Sequence, residues 1–93
     1  MEKLYKFSWD IGRMGEVEGL FIADEEKVNE MIGSDVYFGE ILGKHSEIFG
    51  TLDKEDLEIK SDDKSFVSKL KSLLGTSISG YNPLSYIDDE DEV

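Results

Sequence analysis

Residues 4–11 alternate between apolar and polar side chains, and this two-residue period constrains the fold more than any other feature of the chain. Successive strand residues point to opposite faces of a sheet, so the pattern predicts a strand with one buried face. Gly12 and Gly15 predict a tight reversal, because glycine adopts positive φ angles without strain. Residues 16–23 then predict a second strand, which completes an N-terminal hairpin. The buried face of the first strand is expected to carry Tyr5, Phe7, Trp9 and Ile11.

Two helices are predicted by apolar residues at helical spacing and by residues that suit helix ends. The first covers 25–32, with Asp24 as its N-cap and Gly33 beyond its last turn. The second begins at Asp62 or Asp63 and runs to Leu74, where Gly75 ends it. We expect one apolar face on this second helix, formed by Phe66, Val67, Leu70, Leu73 and Leu74.

The remaining strands are predicted at 36–42, 47–52 and around 57–59, the last at an edge of the sheet. The order is therefore ββ-α-βββ-α, and the connections between paired strands are too short for parallel crossovers. We predict an α+β fold, with an antiparallel sheet of about five strands and two helices packed on one face. Residues 1–87 are expected to form a single domain that includes a docked C-terminal arm, 76–87. The acidic tail, 88–93, is expected to be disordered.

The chain is strongly acidic. It has 22 acidic and 10 basic residues, a net charge of -12 and a pI near 4.3. Five of the acids lie at 88–92, so most of the acidity belongs to the body of the chain. We do not expect direct binding to DNA or RNA, because such binding needs Lys and Arg side chains to neutralise the phosphates.

Cysteine is absent, and His45 is the only histidine. Neither a disulfide framework nor a thiolate zinc site is available, and we therefore expect a cytoplasmic protein without a metal or other cofactor. Apolar runs stay well below the roughly 20 residues that span a bilayer. A membrane location is not expected.

A catalytic centre is not predicted. Residues 39–46 resemble a phosphate-binding loop only superficially, because three residues separate the glycines and His45 follows Lys44. His45 and Ser46 are adjacent in sequence, so on a strand they point to opposite faces and cannot act as base and nucleophile. We therefore expect a binding protein and not an enzyme.

Two sets of residues are candidates for binding. Cations and hydrogen-bonding side chains near glycines could contact an anionic ligand such as a small nucleotide, in a pocket formed by hairpin tips or shared across a homo-oligomer. These residues are Arg13, Lys44, His45, Tyr81 and Asn82. Exposed acids could instead bind a partner protein with a basic surface. These are Asp53, Glu55, Asp56, Asp62 and Asp63.

Three stretches, 7–21, 36–52 and 80–87, resemble short acidic proteins of bacteriophages and mobile elements that have no assigned activity. The resemblance implies an accessory role and carries over no catalytic residue. Our first hypothesis is a phage-type inhibitor of a host defence protein, acting on a basic surface that binds nucleic acid or nucleotides. The alternative is a sponge that sequesters a nucleotide-derived signal.

Overall fold

A computed structural model describes residues 1–41 and 47–87, and these residues form six strands and two helices. An antiparallel sheet has the strand order β5-β1-β2-β6, and β3 and β4 form a separate two-stranded sheet. The predicted α+β class and antiparallel pairing are confirmed. Neither helix in this part of the chain is long and apolar enough to cross a membrane. The elements are β1 (Glu2–Asp10), β2 (Glu16–Asp24), α1 (Glu25–Met31), β3 (Asp35–Gly39), β4 (Ile48–Thr51), β5 (Leu57–Ser61), α2 (Lys64–Leu74) and β6 (Ser77–Gly80).

The predicted N-terminal hairpin is the centre of the fold. Strands β1 and β2 pair along their whole length, from Glu2 opposite Asp24 to Asp10 opposite Glu16. A 3₁₀ turn at Gly12–Met14 joins them, and Gly12 and Gly15 both adopt positive φ angles. The reversal thus uses the conformational freedom that only glycine has at such angles.

The predicted N-cap Asp24 is confirmed, and Asp63, one of the two residues at which the second helix was expected to begin, is also an N-cap. The Asp24 carboxylate accepts a hydrogen bond from the Glu26 amide at 2.9 Å, and this bond lowers the pKa of Asp24. The Asp63 carboxylate accepts from the Phe66 amide at 3.2 Å and starts α2. These bonds satisfy amide groups that have no partner within the helix itself. Gly75, with φ 82°, follows the last residue of α2.

The two helices lie on opposite faces of the four-stranded sheet, which corrects the prediction of a single helix-covered face. Val28 of α1 packs in the same buried cluster as Phe21, whereas Val67 of α2 packs with Ile22. Because Phe21 and Ile22 are neighbours on one strand, their side chains point to opposite faces. We call these the α1 face and the α2 face. The α1 face also carries the β3–β4 hairpin, so the molecule has three layers.

The α1 face contains the larger core. Its buried residues come from both hairpins and from α1, and include the rings of Phe7 and Phe38 at 5.8 Å between centroids. Tyr5 and Phe7 are buried here, as their alternation in the sequence predicted. The full set is Tyr5, Phe7, Val17, Phe21, Ala23, Val28, Val36, Phe38, Ile48 and Leu52.

Helix α2 crosses the sheet from one edge strand to the other. It follows β5, whose Ser61 pairs with Leu4, and precedes β6, whose Ser77 pairs with Phe21. Eleven helical residues span about 16 Å, and four strands at about 4.8 Å spacing span about 14 Å. The helix therefore runs across the strands at the level of Leu4, near the start of β1.

Residues 76–87 contribute a sixth strand and then pass to the α1 face. Strand β6 pairs with β2, and its Gly80 lies opposite Gly19. Beyond it, Pro83 is buried and Ile87 forms a β-bridge with Val36. A Cβ atom on Gly19 would lie 1.9 Å from the main-chain oxygen of Tyr81. Glycine at 19 therefore lets this segment pass directly over β2.

Candidate binding surface

Only half of the α2 face is covered. Beneath α2, Leu4, Ile22 and Val67 form a small buried cluster, with Ile78 packed against it. We call the remainder of this face the open half. Strand pairing places there the side chains of Lys6, Ser8, Asp10, Glu16, Glu18, Leu20, Glu58, Lys60 and Ser79.

Helix α2 leaves large apolar side chains in solvent. Phe66 is 49% exposed and Leu73 is 71% exposed, whereas Val67 is fully buried. The sequence predicted one continuous buried face, but the single helix contacts the sheet through a stripe too narrow to bury all five of its apolar residues. The exposed set is therefore an apolar surface, of the kind that often marks a contact with another molecule.

The orientation of α2 places this apolar surface beside the open half. Phe66, Leu70 and Leu73 have i, i+4 and i+7 spacing, so they lie along one side of the helix. We call them the α2 flank; Phe66 and Leu73 are exposed, whereas Leu70 is half-buried against the cluster beneath α2. Ser68 lies on the other side, where it lines a cavity with Met1 at the end of the sheet. The α2 flank therefore faces the opposite way, toward the open half.

The far end of the open half is acidic. Asp10 pairs directly with Glu16 across the hairpin, and Glu18 lies two residues further along the same face of β2. We call these three residues the hairpin cluster. A hydrogen bond that protonated Glu16 donates to Glu18, together with the negative charges of Glu18 and Asp10, raises the pKa of Glu16. The three carboxylates therefore repel one another, and nearby positive charge does not fully compensate for this repulsion.

Two lysines lie between the α2 flank and the hairpin cluster. Lys6 Nζ is 3.8 Å from Glu18, and Lys60 Nζ is 3.5 Å from Glu58. Both pairs are exposed, so they contribute little to stability. Together with Leu20 and Ser79, the two lysines line a shallow groove of about 500 Å³. From the α2 flank to the hairpin cluster, the surface of the open half therefore changes from apolar to mixed charge and then to acidic.

The structure does not bring together the predicted ligand-binding residues that it describes. Arg13 is exposed in the hairpin turn, and no ion pair to it is found within residues 1–41 and 47–87. Tyr81 packs its ring against Phe38 on the α1 face. Asn82 accepts a hydrogen bond from the Leu84 amide at 3.0 Å and donates one to Ser77 at 3.3 Å. Lys44 and His45 lie outside the described residues.

Three of the five predicted partner-binding acids have structural contacts. Asp53 and Asp56 form a capping box at a 3₁₀ turn, and Asp56 also accepts a hydrogen bond from the indole of Trp9 at 2.7 Å. Asp63 caps α2. Glu55 and Asp62 are exposed. These acids flank β5 on both sides, at ends that lie about 16 Å apart along a strand of that length, so they do not form one compact patch.

The described part of the chain holds no group of three or more His, Asp and Glu side chains arranged for a metal ion. The hairpin cluster is thus an acidic surface and not a cation cage. Comparisons with protein-family models, curated proteins and solved structures gave no significant match.

Sequence reasoning missed the open half, although part of its signal was present. The predicted hairpin placed Asp10 and Glu16 on either side of its turn, and Glu18 follows Glu16 at the two-residue strand period. The exposed α2 flank had no comparable signal. A buried stripe and an exposed one have the same helical spacing, and only the packing of α2 distinguishes them.

Proposed function

We propose that this chain is a non-enzymatic binding protein that uses an acidic surface to bind a basic surface of a partner protein. In the full form of the proposal, it is a phage-type inhibitor, and its partner is a host defence protein with a nucleic-acid- or nucleotide-binding surface. The observation that carries the proposal is the crowded hairpin cluster, exposed at one end of the open half. Basic side chains of a partner would relieve that crowding.

Two further properties support a protein partner. The excess of negative charge over the whole chain attracts basic surfaces from a distance and raises the rate of encounter. The exposed apolar side chains of α2 lie on the same face as the hairpin cluster, and protein interfaces commonly combine an apolar centre with a charged rim. The resemblance of three stretches to phage proteins motivates the choice of a host protein as the partner.

Affinity capture tests this proposal. The tagged chain is immobilised, exposed to a lysate of its host cell, and eluted with a gradient of salt. We expect a basic protein to elute as salt rises, because screening weakens contacts between exposed charges. The purified partner should then lose binding to its nucleic acid or nucleotide when the chain is added.

Matched variants locate the surface. Glu16→Gln/Glu18→Gln removes two charges from the hairpin cluster, whereas Glu26→Gln/Glu30→Gln removes two exposed charges from α1 on the other side of the sheet. We expect only the first variant to lose the partner. Equal losses would point to net charge alone, and a loss confined to Glu55→Gln/Asp62→Asn would move the surface to the flanks of β5. Capture of no salt-sensitive partner would contradict the proposal itself.

A further inference from the structure

The helical layer on the α2 face is incomplete. Strands β1 and β2 have nine residues each, which corresponds to about 30 Å of sheet at about 3.3 Å per residue. One helix with its side chains covers about 10 Å of that length. Because α2 lies at the level of Leu4 and Ile22, the sheet beside it has room for a second helix.

We propose that the open half binds one amphipathic, basic helix of a partner protein, which lies beside α2 and crosses the strands. This inference rests on the proposed function and names the kind of segment that a basic partner contributes. The bound helix completes the layer that α2 begins. Strands β5 and β6 pair as far as Phe7 and Gly19, so at that level a bound helix still lies over four strands, about 14 Å across, and about ten residues span that width.

The apolar side of the bound helix faces α2. Neighbouring helices pack with their axes 8–10 Å apart, and at that distance its side chains reach Phe66, Leu70 and Leu73. Leu20 is the half-buried apolar residue of the sheet beneath it. Burial of the α2 flank supplies the apolar centre of the interface, where most binding energy is concentrated.

Charge complementarity determines which side of the bound helix faces α2 and which side faces the hairpin cluster. Helix α2 has no acidic residue, and although Lys71 is paired with Glu2 at 2.7 Å, Lys69 is a helical neighbour of both Phe66 and Leu73, so basic side chains on the side facing α2 would be repelled. On the opposite side of the site, the hairpin cluster attracts them. A helix with apolar residues toward α2 and basic residues toward Glu16 and Glu18 satisfies both conditions.

A second copy of this chain fits the site less well. Two copies, each with a net charge of -12, repel one another. The exposed helix α1 has acids at 25, 26 and 30 against one lysine, so it lacks the required basic side. Helix α2 is basic and exposes Phe66 and Leu73, but the lysines of two α2 helices would repel one another if the helices packed side by side. The observations therefore favour a different protein as the source of the helix.

A synthetic peptide tests the inference directly. The probe has 14 leucine and lysine residues, with leucine at helical spacing and lysine on the opposite side. The control has the same composition with leucine at alternate positions, which gives a strand period. We expect the helical probe to shift the amide NMR signals of Leu20, Phe66 and Leu73, and to bind at least tenfold more tightly than the control.

Paired variants make the test specific. Phe66→Ser/Leu73→Ser should lower the affinity for the helical probe at least tenfold, while its NMR spectrum shows an intact fold. Phe49→Ser removes a comparably exposed aromatic side chain from β4, on the other side of the molecule. It should change the affinity less than twofold.

Several results would overturn the inference. They are equal binding of the two peptides, no shift with either, shifts centred on Phe49, or unchanged affinity in Phe66→Ser/Leu73→Ser. Shifts of the α2 flank with protein concentration alone would identify a second copy as the occupant. If the partner captured from lysate is lost by Glu16→Gln/Glu18→Gln but retained by Phe66→Ser/Leu73→Ser, the inference fails and the proposed function stands.

Discussion

The two faces of the four-stranded sheet are made by alternate residues of the same strands, yet they differ greatly in how they are covered. On the α1 face, ten buried side chains join the sheet to α1 and the β3–β4 hairpin. On the α2 face, Leu4, Ile22 and Val67 are the buried residues of the cluster under α2. One face therefore holds the fold together, and the other retains exposed apolar and acidic side chains.

This difference separates stability from binding within one small domain. Substitutions on the α1 face should change the free energy of unfolding, because every side chain there packs against several others. Substitutions on the open half should change binding and leave the fold intact. The molecule has a single tryptophan, Trp9, which packs against the α1-face core. Its fluorescence provides a measure of unfolding for the comparison.

The largest effect is expected for Phe21→Ala. Phe21 is fully buried and its ring stacks on that of Tyr5, with 5.5 Å between centroids. Truncation leaves a cavity in the larger core and should destabilise the fold by about 3–5 kcal/mol, measured by urea unfolding. A loss below about 1 kcal/mol would mean that the α1 face is not the dominant core.

The next largest effect is expected for Gly19→Ala, which should destabilise the fold by about 3 kcal/mol because the added Cβ atom overpacks the site. A Cβ atom there would meet the main chain of Tyr81 at distances from 1.9 Å, and backbone cannot move aside as a flexible side chain can. We expect weaker pairing of β6 with β2, seen as faster amide hydrogen exchange in β6. Gly33→Ala is the control for a positive-φ glycine with open space around it, and should leave exchange in β6 unchanged.

Val67→Ala should destabilise the fold by about 2 kcal/mol, because Val67 is the fully buried residue of α2. The neighbouring change Phe66→Ser should alter stability by less than about 0.5 kcal/mol, since half of that side chain is already in solvent. A much larger destabilisation by Val67→Ala than by Phe66→Ser would mean that α2 contacts the sheet through a narrow stripe that includes Val67 and not Phe66. Similar losses in the two variants would place Phe66 in the core.

The smallest effect is expected for Glu16→Gln, and it depends on pH. Crowding raises the pKa of Glu16 in the folded state, so ionisation of this group opposes folding once the pH exceeds that pKa. The variant should therefore be slightly more stable than the parent at neutral pH. The difference should vanish as the pH falls below the ordinary value for Glu, where the carboxyl is protonated in both states. If Glu16→Gln is less stable than the parent at pH 7, repulsion between Glu16 and its acidic neighbours is contradicted.

Calorimetry with small nucleotides tests the alternative that the sequence suggested. Arg13 is exposed in the hairpin turn, whereas Tyr81 and Asn82 are engaged with neighbouring protein groups. We expect no heat of binding above background across cyclic and linear dinucleotides. Binding that is abolished by Arg13→Ala would favour the sponge and move the working surface away from the open half.

Much of the fold was determined by the sequence alone. The alternation at 4–11, the two glycines of the turn, and the caps Asp24 and Asp63 all act over a few residues, so local physical chemistry is sufficient to predict them. The hairpin and both helices were placed to within about two residues at their N-termini. The expected edge position of β5 was also correct.

Tertiary structure alone decided which surfaces are covered. Periodicity shows that a helix has an apolar side, but it does not show which face of the sheet that helix joins or how much of its apolar side the sheet can bury. Helix α2 follows one edge strand and precedes the other, so it crosses the α2 face at one level and leaves the α2 flank exposed. The same crossing leaves the hairpin cluster uncovered, because one helix is narrower than the strands are long.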